Sequence, residues 1–314
     1  MNSPILKFYD DSGYEKAISY LKKSDNHFIS RKINFPNPAQ VNILNKKGFE
    51  NYILHRGVYL DTETTGISHK ENEVIQICML PFLYATSPEP NENSIIFGVY
   101  PPYVGFQEPP HPLTQEIIDL TGITMDMLEG QSLDINEIEA ILEKVDIVIA
   151  HNAAFDRPFT HDISSKFKEK KWGCSMSNVP WKEFGFESLK LTHLASDLGF
   201  FFEPHQADKD CLAGLAILAQ VDETGDSYFH KLIINAEKDS ITIRAVNAPF
   251  ETKDILKSRG YVWKDGADGS TKGWETVVSI DNIDAEREWL SAEVYNGYPK
   301  FTEKQENAIT RFCL

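Results

Sequence analysis

Apolar and polar positions alternate over residues 58–61, 74–85 and 95–100, which predicts three successive strands joined by turns or loops, as in a meander. A proline-rich entry at 109–113 leads into an amphipathic segment, 114–120, and residues 135–142 repeat the helical period. Residues 145–150 are nearly all apolar and short, the signature of a strand covered on both faces. Over 188–198, Leu191, Leu194, Ala195 and Leu198 share one helical face, with Ser188 as the expected N-terminal cap. A further apolar helix begins near Asp210. Strands followed by helix, strand and helices predict an α/β layer with helices on both faces of the sheet.

The two ends of the chain have different patterns. In 14–21, Tyr14, Ala17, Ile18 and Leu21 fit one face of a short helix, and Asn34-Phe35-Pro36-Asn37-Pro38 reads as a turn-rich connector. Towards the C-terminus, 240–246 alternates as a strand, 251–259 is helical and 260–263 is extended. Turns at Asp265-Gly266 and Asp268-Gly269 precede a strand at 274–280 and a helix at 284–295. The order β-α-β-β-α describes a small α+β domain. Three regions are therefore expected: an N-terminal arm at 1–56, a central domain at 57–225 and an accessory domain at 226–314.

Charge narrows the possible ligands. The chain of 314 residues carries a formal net charge of −16. Residues 1–56 hold nine Lys/Arg against five Asp/Glu, residues 57–230 hold 10 against 28, and residues 231–314 hold 12 against 14. A long duplex footprint needs a basic surface that the central region lacks; a single-stranded end held by a few bases needs less. The pairs Lys22-Lys23, Arg31-Lys32 and Lys46-Lys47 are too scattered to form one stripe and are expected to be solvated faces, with contact to nucleic acid the alternative. Cys78, Cys174, Cys211 and Cys313 show no metal-ligand or paired spacing, and Cys78 and Cys211 fall in apolar runs as core thiols, which suits a reducing compartment. No apolar stretch is long enough to span a bilayer, and the polar start Met1-Asn2-Ser3-Pro4 does not read as a secretory signal, so the cytoplasm is the expected location and no membrane partner is expected.

The candidate chemistry lies in the central region. Asp61-Thr62-Glu63-Thr64-Thr65-Gly66 follows an apolar strand and sets two carboxylates two residues apart, on one face. Their repulsion calls for a compensating positive charge, most commonly a divalent cation. Asp156 follows the 145–150 strand near the start of a helix, and His205 and Asp210 precede the last apolar helix of this region. Together these residues resemble the DEDDh branch of the DnaQ-like 3′–5′ exonucleases: Asp61 and Glu63 match the first motif, Asp156 the second, and His205 with Asp210 the third. The similarity runs from about Val58 to Ala219 and includes bacterial proofreading subunits, exonuclease X and ribonuclease T. It implies a ribonuclease-H-like mixed five-stranded sheet with the first strand at its centre.

The resemblance also assigns roles. Asp61 would bridge two divalent ions, Glu63 would bind the ion on the attacking side and hold the water, and Asp156 and Asp210 would complete the ligand set. Oxygen ligands without cysteine favour Mg²⁺ or Mn²⁺. His205 would serve as general base, since a neutral imidazole can accept the water proton near neutral pH. Thr64, Thr65 and Gly66 would meet the terminal sugar or phosphate, and Ile123, Met127 and Phe155 would floor the base, with simple core packing the alternative for Phe155. Lys257, Arg259, Tyr261, Trp263 and Trp274 form a possible basic-aromatic contact for the strand, with hairpin packing as the alternative. His151 is assigned to strand-end structure. The expected activity is a metal-dependent exonuclease on nucleic acid with a free 3′ end, single-stranded or frayed DNA favoured. An RNA-trimming or short-oligonucleotide exoribonuclease and a non-catalytic nucleic-acid-binding or regulatory module are the alternatives. The sequence names no protein partner.

Overall fold

The computed structural model describes residues 6–24, 26–36, 51–89, 92–266 and 270–313; Lys46-Lys47, the Asn37-Pro38 end of the connector and the Asp268-Gly269 turn lie outside them. The chain divides into two compact units, Met1–Asn235 and Ala236–Leu314.

The strands of the first unit are β1 (Arg31–Lys32), β2 (Ile53–Thr64), β3 (Val74–Thr86), β4 (Ile95–Val99), β5 (Tyr103–Phe106), β6 (Ile147–Ala150), β7 (Lys171–Cys174) and β8 (Phe200–Phe201). Its helices are α1 (Glu15–Leu21), α2 (Gln115–Thr121), α3 (Met125–Leu128), α4 (Ile135–Leu142), α5 (Ala153–Thr160), α6 (Leu191–Asp197), α7 (Ala207–Leu218) and α8 (Tyr228–Glu237), the last crossing into the second unit.

The main sheet runs β4-β3-β2-β6-β7, with β5 also paired to β3. β4 pairs with residues 82–85 of β3 and β5 with residues 76–79, so the two share one edge of a long strand and the sheet is five strands wide. Pairing is antiparallel through β2, β3 and β4 and parallel through β2, β6 and β7, which makes the sheet mixed and puts β2 in the middle. The expected architecture is therefore present, including the central first strand.

β2 is longer than the sequence pattern suggests. It pairs with β3 from Ile53 opposite Thr86 to Thr64 opposite Val74, although Ile53 and Leu54 are exposed and no burial pattern marks this start. β6 is buried at all four positions, as its apolar run requires. From Cys211 to Leu218, α7 is buried on every side and packs on β2 and β3. Its Gly214 permits that approach: a Cβ there would lie 2.1 Å from the Tyr59 ring. Cys78, Cys174 and Cys211 are buried free thiols.

The N-terminal segment joins this unit through β1, which pairs in parallel with β8. Arg31 binds Asp11 at 2.9 Å and Lys32 lies 3.5 Å from Glu203, so this cationic pair is taken up by ion pairs. On α1 no residue is buried, and Tyr14 is exposed; the predicted apolar face lies mainly in solvent.

Other elements depart from the sequence reading. α6 begins at Leu191, with Lys190 as its cap residue, while the Ser188 hydroxyl accepts the Lys190 N–H at 3.3 Å in a local turn. Ser188 does not cap the helix. β5 and β7 have four residues each, too few to show a period, and α8 was not predicted.

The second unit carries β9 (Ser240–Val246), α9 (Lys253–Ser258), β10 (Val262–Lys264), β11 (Gly273–Ser279), α10 (Ile283–Trp289) and β12 (Phe301–Glu306). Its antiparallel sheet runs β10-β11-β9-β12, and Ile241, Ile243, Ala245, Leu256, Tyr261, Ile283 and Leu290 form its core. β12 extends the expected β-α-β-β-α order by one strand.

Candidate active site

β2 delivers the acidic pair. Thr62 and Thr64 are buried while Asp61 and Glu63, at the alternate positions, are half-buried on the other face. The β2–β3 register shifts between Glu63 and Thr64, where the strand leaves its regular ladder. α7 supplies Asp210 one turn into the helix. Carboxylate oxygens of Asp61, Glu63 and Asp210 all lie within 4.8 Å of one another.

Asp156 enters on α5, directly after β6. Because β6 runs parallel to β2, its helix starts at the same end of the sheet as the acidic pair. The Asp156 carboxylate is buried and accepts two hydrogen bonds from Thr62, one from the backbone N–H at 3.2 Å and one from the hydroxyl at 2.8 Å. Thr62, the residue between the two acids, thus fixes the third. Its place between the acids on a β-strand, facing away from them, is the only mark it carries in the sequence.

Burial and crowding act together on the cluster. Burial, then the charges of Asp156, Asp210 and Glu63, push the Asp61 carboxyl well above the usual carboxylate range. Burial, then Asp210 and Asp156, push Glu63 up to about 7. Asp156 is pushed up to about 7 by burial, against the opposing hydrogen bonds from Thr62. Asp210 is pushed up to about 6 by burial; the Gln206 N–H, donating at 3.1 Å, and His205 pull the other way. Among the described residues, the charges that chiefly act on the Asp61 and Glu63 carboxyls are those of other acidic groups. Carboxylates crowded in this way hold protons in the absence of a cation and release them to one. The all-oxygen donor set fits a hard divalent cation.

His205 is exposed, immediately before α7, with φ at 63°. Histidine enters this left-handed region more readily than most residues. The turn leaves the Gln206 N–H facing the Asp210 carboxylate. The start of α7 is also tied to the sheet by Gln76, opposite Glu63 in β3, whose side-chain oxygen accepts the Ala207 N–H at 3.4 Å. The sequence signal for Gln76 is a lone amide in the apolar run Val74-Ile75-Gln76-Ile77-Cys78, and the structure buries it.

The remaining candidates fall into three groups. Near the acidic pair, the Thr64 hydroxyl donates to the Gly66 carbonyl at 2.6 Å, and Thr65 exchanges backbone and side-chain hydrogen bonds with Glu73. A Cβ on Gly66 would lie 2.6 Å from the Asn72 side chain. In the second group, Ile123 is buried against Ile75 and Leu128, Met127 is 46% exposed, and half-buried Phe155 packs on Phe159 with ring centroids 5.1 Å apart. Lys257, Arg259, Tyr261, Trp263 and Trp274 belong to the second unit. His151 is structural: its ring nitrogens engage the Ser175 hydroxyl at 2.9 Å and the Leu189 carbonyl at 2.8 Å, and Ser175 meets the Tyr59 hydroxyl at 2.8 Å.

Comparison with known proteins gives a family match over the same residues: a family described as Exonuclease (RNase T) matches 58–218. Among curated proteins, the PolC-type DNA polymerase III of Halalkalibacterium halodurans is 36% identical over 105 residues, covering 32% of this chain and 6% of the polymerase. The PolC-type polymerase of Listeria welshimeri is 27% identical over 185 residues, covering 54% of this chain and 12% of the polymerase. The chain thus spans a small fraction of these relatives. Among solved structures, exonuclease X in complex with 5′ overhanging duplex DNA has 18% identity and a TM-score of 0.41, covering 57% of this chain and 99% of that one. E. coli exonuclease I with a dA16 oligonucleotide has 15% identity and a TM-score of 0.44, covering 74% of this chain and 68% of that one.

Proposed function

The chain belongs to the RNase T exonuclease family, and from that premise we propose that it is a 3′–5′ exonuclease that uses two divalent metal ions, Mg²⁺ or Mn²⁺, on single-stranded or frayed nucleic-acid ends. The observation that supports it most is the convergence of Asp61, Glu63 and Asp210 within 4.8 Å, from a strand and a helix far apart in sequence. Asp61, Glu63 and Asp210 would hold the ions directly, with Asp156, oriented by Thr62, completing the set. Bound there, divalent ions supply Lewis-acid activation of water and charge compensation on the scissile phosphate.

The chain's own residues do the rest. Glu63 orients the attacking water, and exposed His205, on the turn before Asp210, accepts its proton through a ring nitrogen. Thr64, Thr65 and Gly66 border the terminal sugar and phosphate; Ile123, Met127 and Phe155 line the base side. The acidic character of residues 57–230 disfavours long tracking along a duplex, so binding rests on the last few nucleotides.

Product analysis tests this reading. Incubation of single strands with Mg²⁺ should release nucleoside 5′-monophosphates, identified by mass spectrometry, and chelator should abolish the release. Release of 3′-monophosphates or of internal fragments, or activity undiminished in chelator, would overturn it.

A further inference from the structure

The second unit bears aromatic and cationic side chains that the proposed chemistry does not use. Of the five residues singled out there by sequence, the structure separates two from three. Tyr261 is buried, and its hydroxyl donates to Glu286 at 2.9 Å; the Arg259 guanidinium binds the same carboxylate at 2.9 Å and lies 4.2 Å from the Trp289 ring centroid. Arg259 and Tyr261 therefore clamp the connection between α9 and β10 onto α10.

Of the other three, Trp263 and Lys257 are exposed, and half-buried Trp274 packs partly against the core. Trp263 in β10 is 51% exposed and meets Trp274 of β11 edge-to-face, with centroids 5.6 Å apart. Lys257 on α9 places its ammonium 5.8 Å from the Trp274 centroid. One helical turn earlier, Lys253 shares the face of Lys257, and its ammonium sits 4.3 Å above the ring of Phe250, which is 76% exposed. Phe250 with Lys253, and Lys257 with Trp274 and Trp263, thus set two groups of rings and ammonium groups one helical turn apart on the same face of α9. Residues 250–264 hold four cations, of which Arg259 is paired with Glu286, against Glu251 and Asp254, in a chain whose net charge is −16.

We propose that these two groups bind single-stranded nucleic acid, with bases stacked on Trp263 and Phe250 and phosphates met by Lys253 and Lys257. Stacking is tolerant of sequence because every base has a π-face, and neighbouring ammonium groups suit the backbone between stacked bases. The clamp on Glu286 holds Trp263 out, so little ordering is needed on binding. The site complements the nuclease reading, but its test does not depend on cleavage.

Fluorescence anisotropy on the full chain bearing Asp61→Asn, in chelator, with 5′-labelled dT20 and rU20 as separate probes, measures binding alone. Trp263→Ala should weaken binding in at least one arm by about tenfold with little change in salt slope, and Trp263→Phe should restore most of it. Lys257→Gln should lower the slope of log affinity against log salt by about 0.7, as expected for one phosphate contact on a single strand. If Trp263→Ala misfolds by circular dichroism, Trp263→Phe and Lys257→Gln decide the matter. Unchanged affinity and salt slope for the folded variants with both probes would overturn the proposal, whether or not the chain proves to be a nuclease.

Discussion

Replacing Glu63 by Gln removes one negative charge from the cluster without changing its shape much, and the consequence for stability has a definite sign. Burial and the Asp210 and Asp156 charges hold the Glu63 carboxyl at about 7, against an ordinary 4.5. A carboxyl whose folded-state pKa is raised binds its proton more tightly when folded, so its ionisation opposes folding. The opposition is absent below about pH 4.5, grows as pH rises to about 7 and is level above that. At about 1.4 kcal/mol for each tenfold difference in proton affinity, it reaches about 3 kcal/mol at pH 8 and stays below about 1 kcal/mol at pH 5. Allowing for an imperfect fit of the amide, Glu63→Gln should stabilise the metal-free chain at pH 8 by about 1–3 kcal/mol, or about 2–10 °C in Tm. Urea unfolding in chelator provides the assay, because Trp172 and Trp181, both fully buried, report on the unit that contains Glu63. Added Mg²⁺ at about a hundred times its Kd should raise the parent by about 3 kcal/mol and the variant by much less. A variant no more stable than the parent at pH 8 in chelator, or a gain equal at pH 5 and pH 8, would refute this account of the cluster.

Further expectations follow from other parts of the structure. His205→Ala should lower the single-turnover rate by about 10²–10⁴ while Mn²⁺ affinity stays unchanged; a rate near that of the parent across pH 6–9 would remove His205 from the chemistry. At fixed salt, kcat/KM should be higher for a single strand than for a blunt duplex of the same sequence, and equal or faster duplex cleavage would contradict the argument from charge. Gly214→Ala places a Cβ against the Tyr59 ring and should destabilise the chain by about 1–3 kcal/mol in urea unfolding; an unchanged midpoint would show that α7 can retreat from β2 without loss.

What the sequence revealed follows from how strongly each element imprints a pattern. β3 and β6 are long or fully apolar, and both could be read from burial alone; β2 could be read only where both faces are covered, because its first turns are held by pairing with β3 while Ile53 and Leu54 point to solvent. β5 and β7 are recognised by their partners in the sheet, which four residues cannot encode in a period. The acids Asp61, Glu63 and Asp210 were legible as motif residues and meet as carboxylates in space. Their supports were less visible: Thr62 acts through two hydrogen bonds to Asp156 and Gln76 through one to the start of α7, and neither looks unusual in its strand. In the second unit the aromatic and basic residues stood out by composition, but the clamp that Arg259 and Tyr261 make depends on Glu286, which lies 25 residues from Tyr261.

The central claim is that the Asp61 cluster is a metal-dependent centre for cleavage from the 3′ end. Rapid-quench digestion of a 5′-labelled single strand by parent and Asp61→Asn chains, each with Mn²⁺ and with chelator, tests it most directly. The parent with Mn²⁺ should give a ladder that shortens one nucleotide at a time from the 3′ end, and both the variant and the chelated parent should leave the strand intact. A ladder of the same rate from Asp61→Asn, or loss of the label at the 5′ end as the first product, would contradict it.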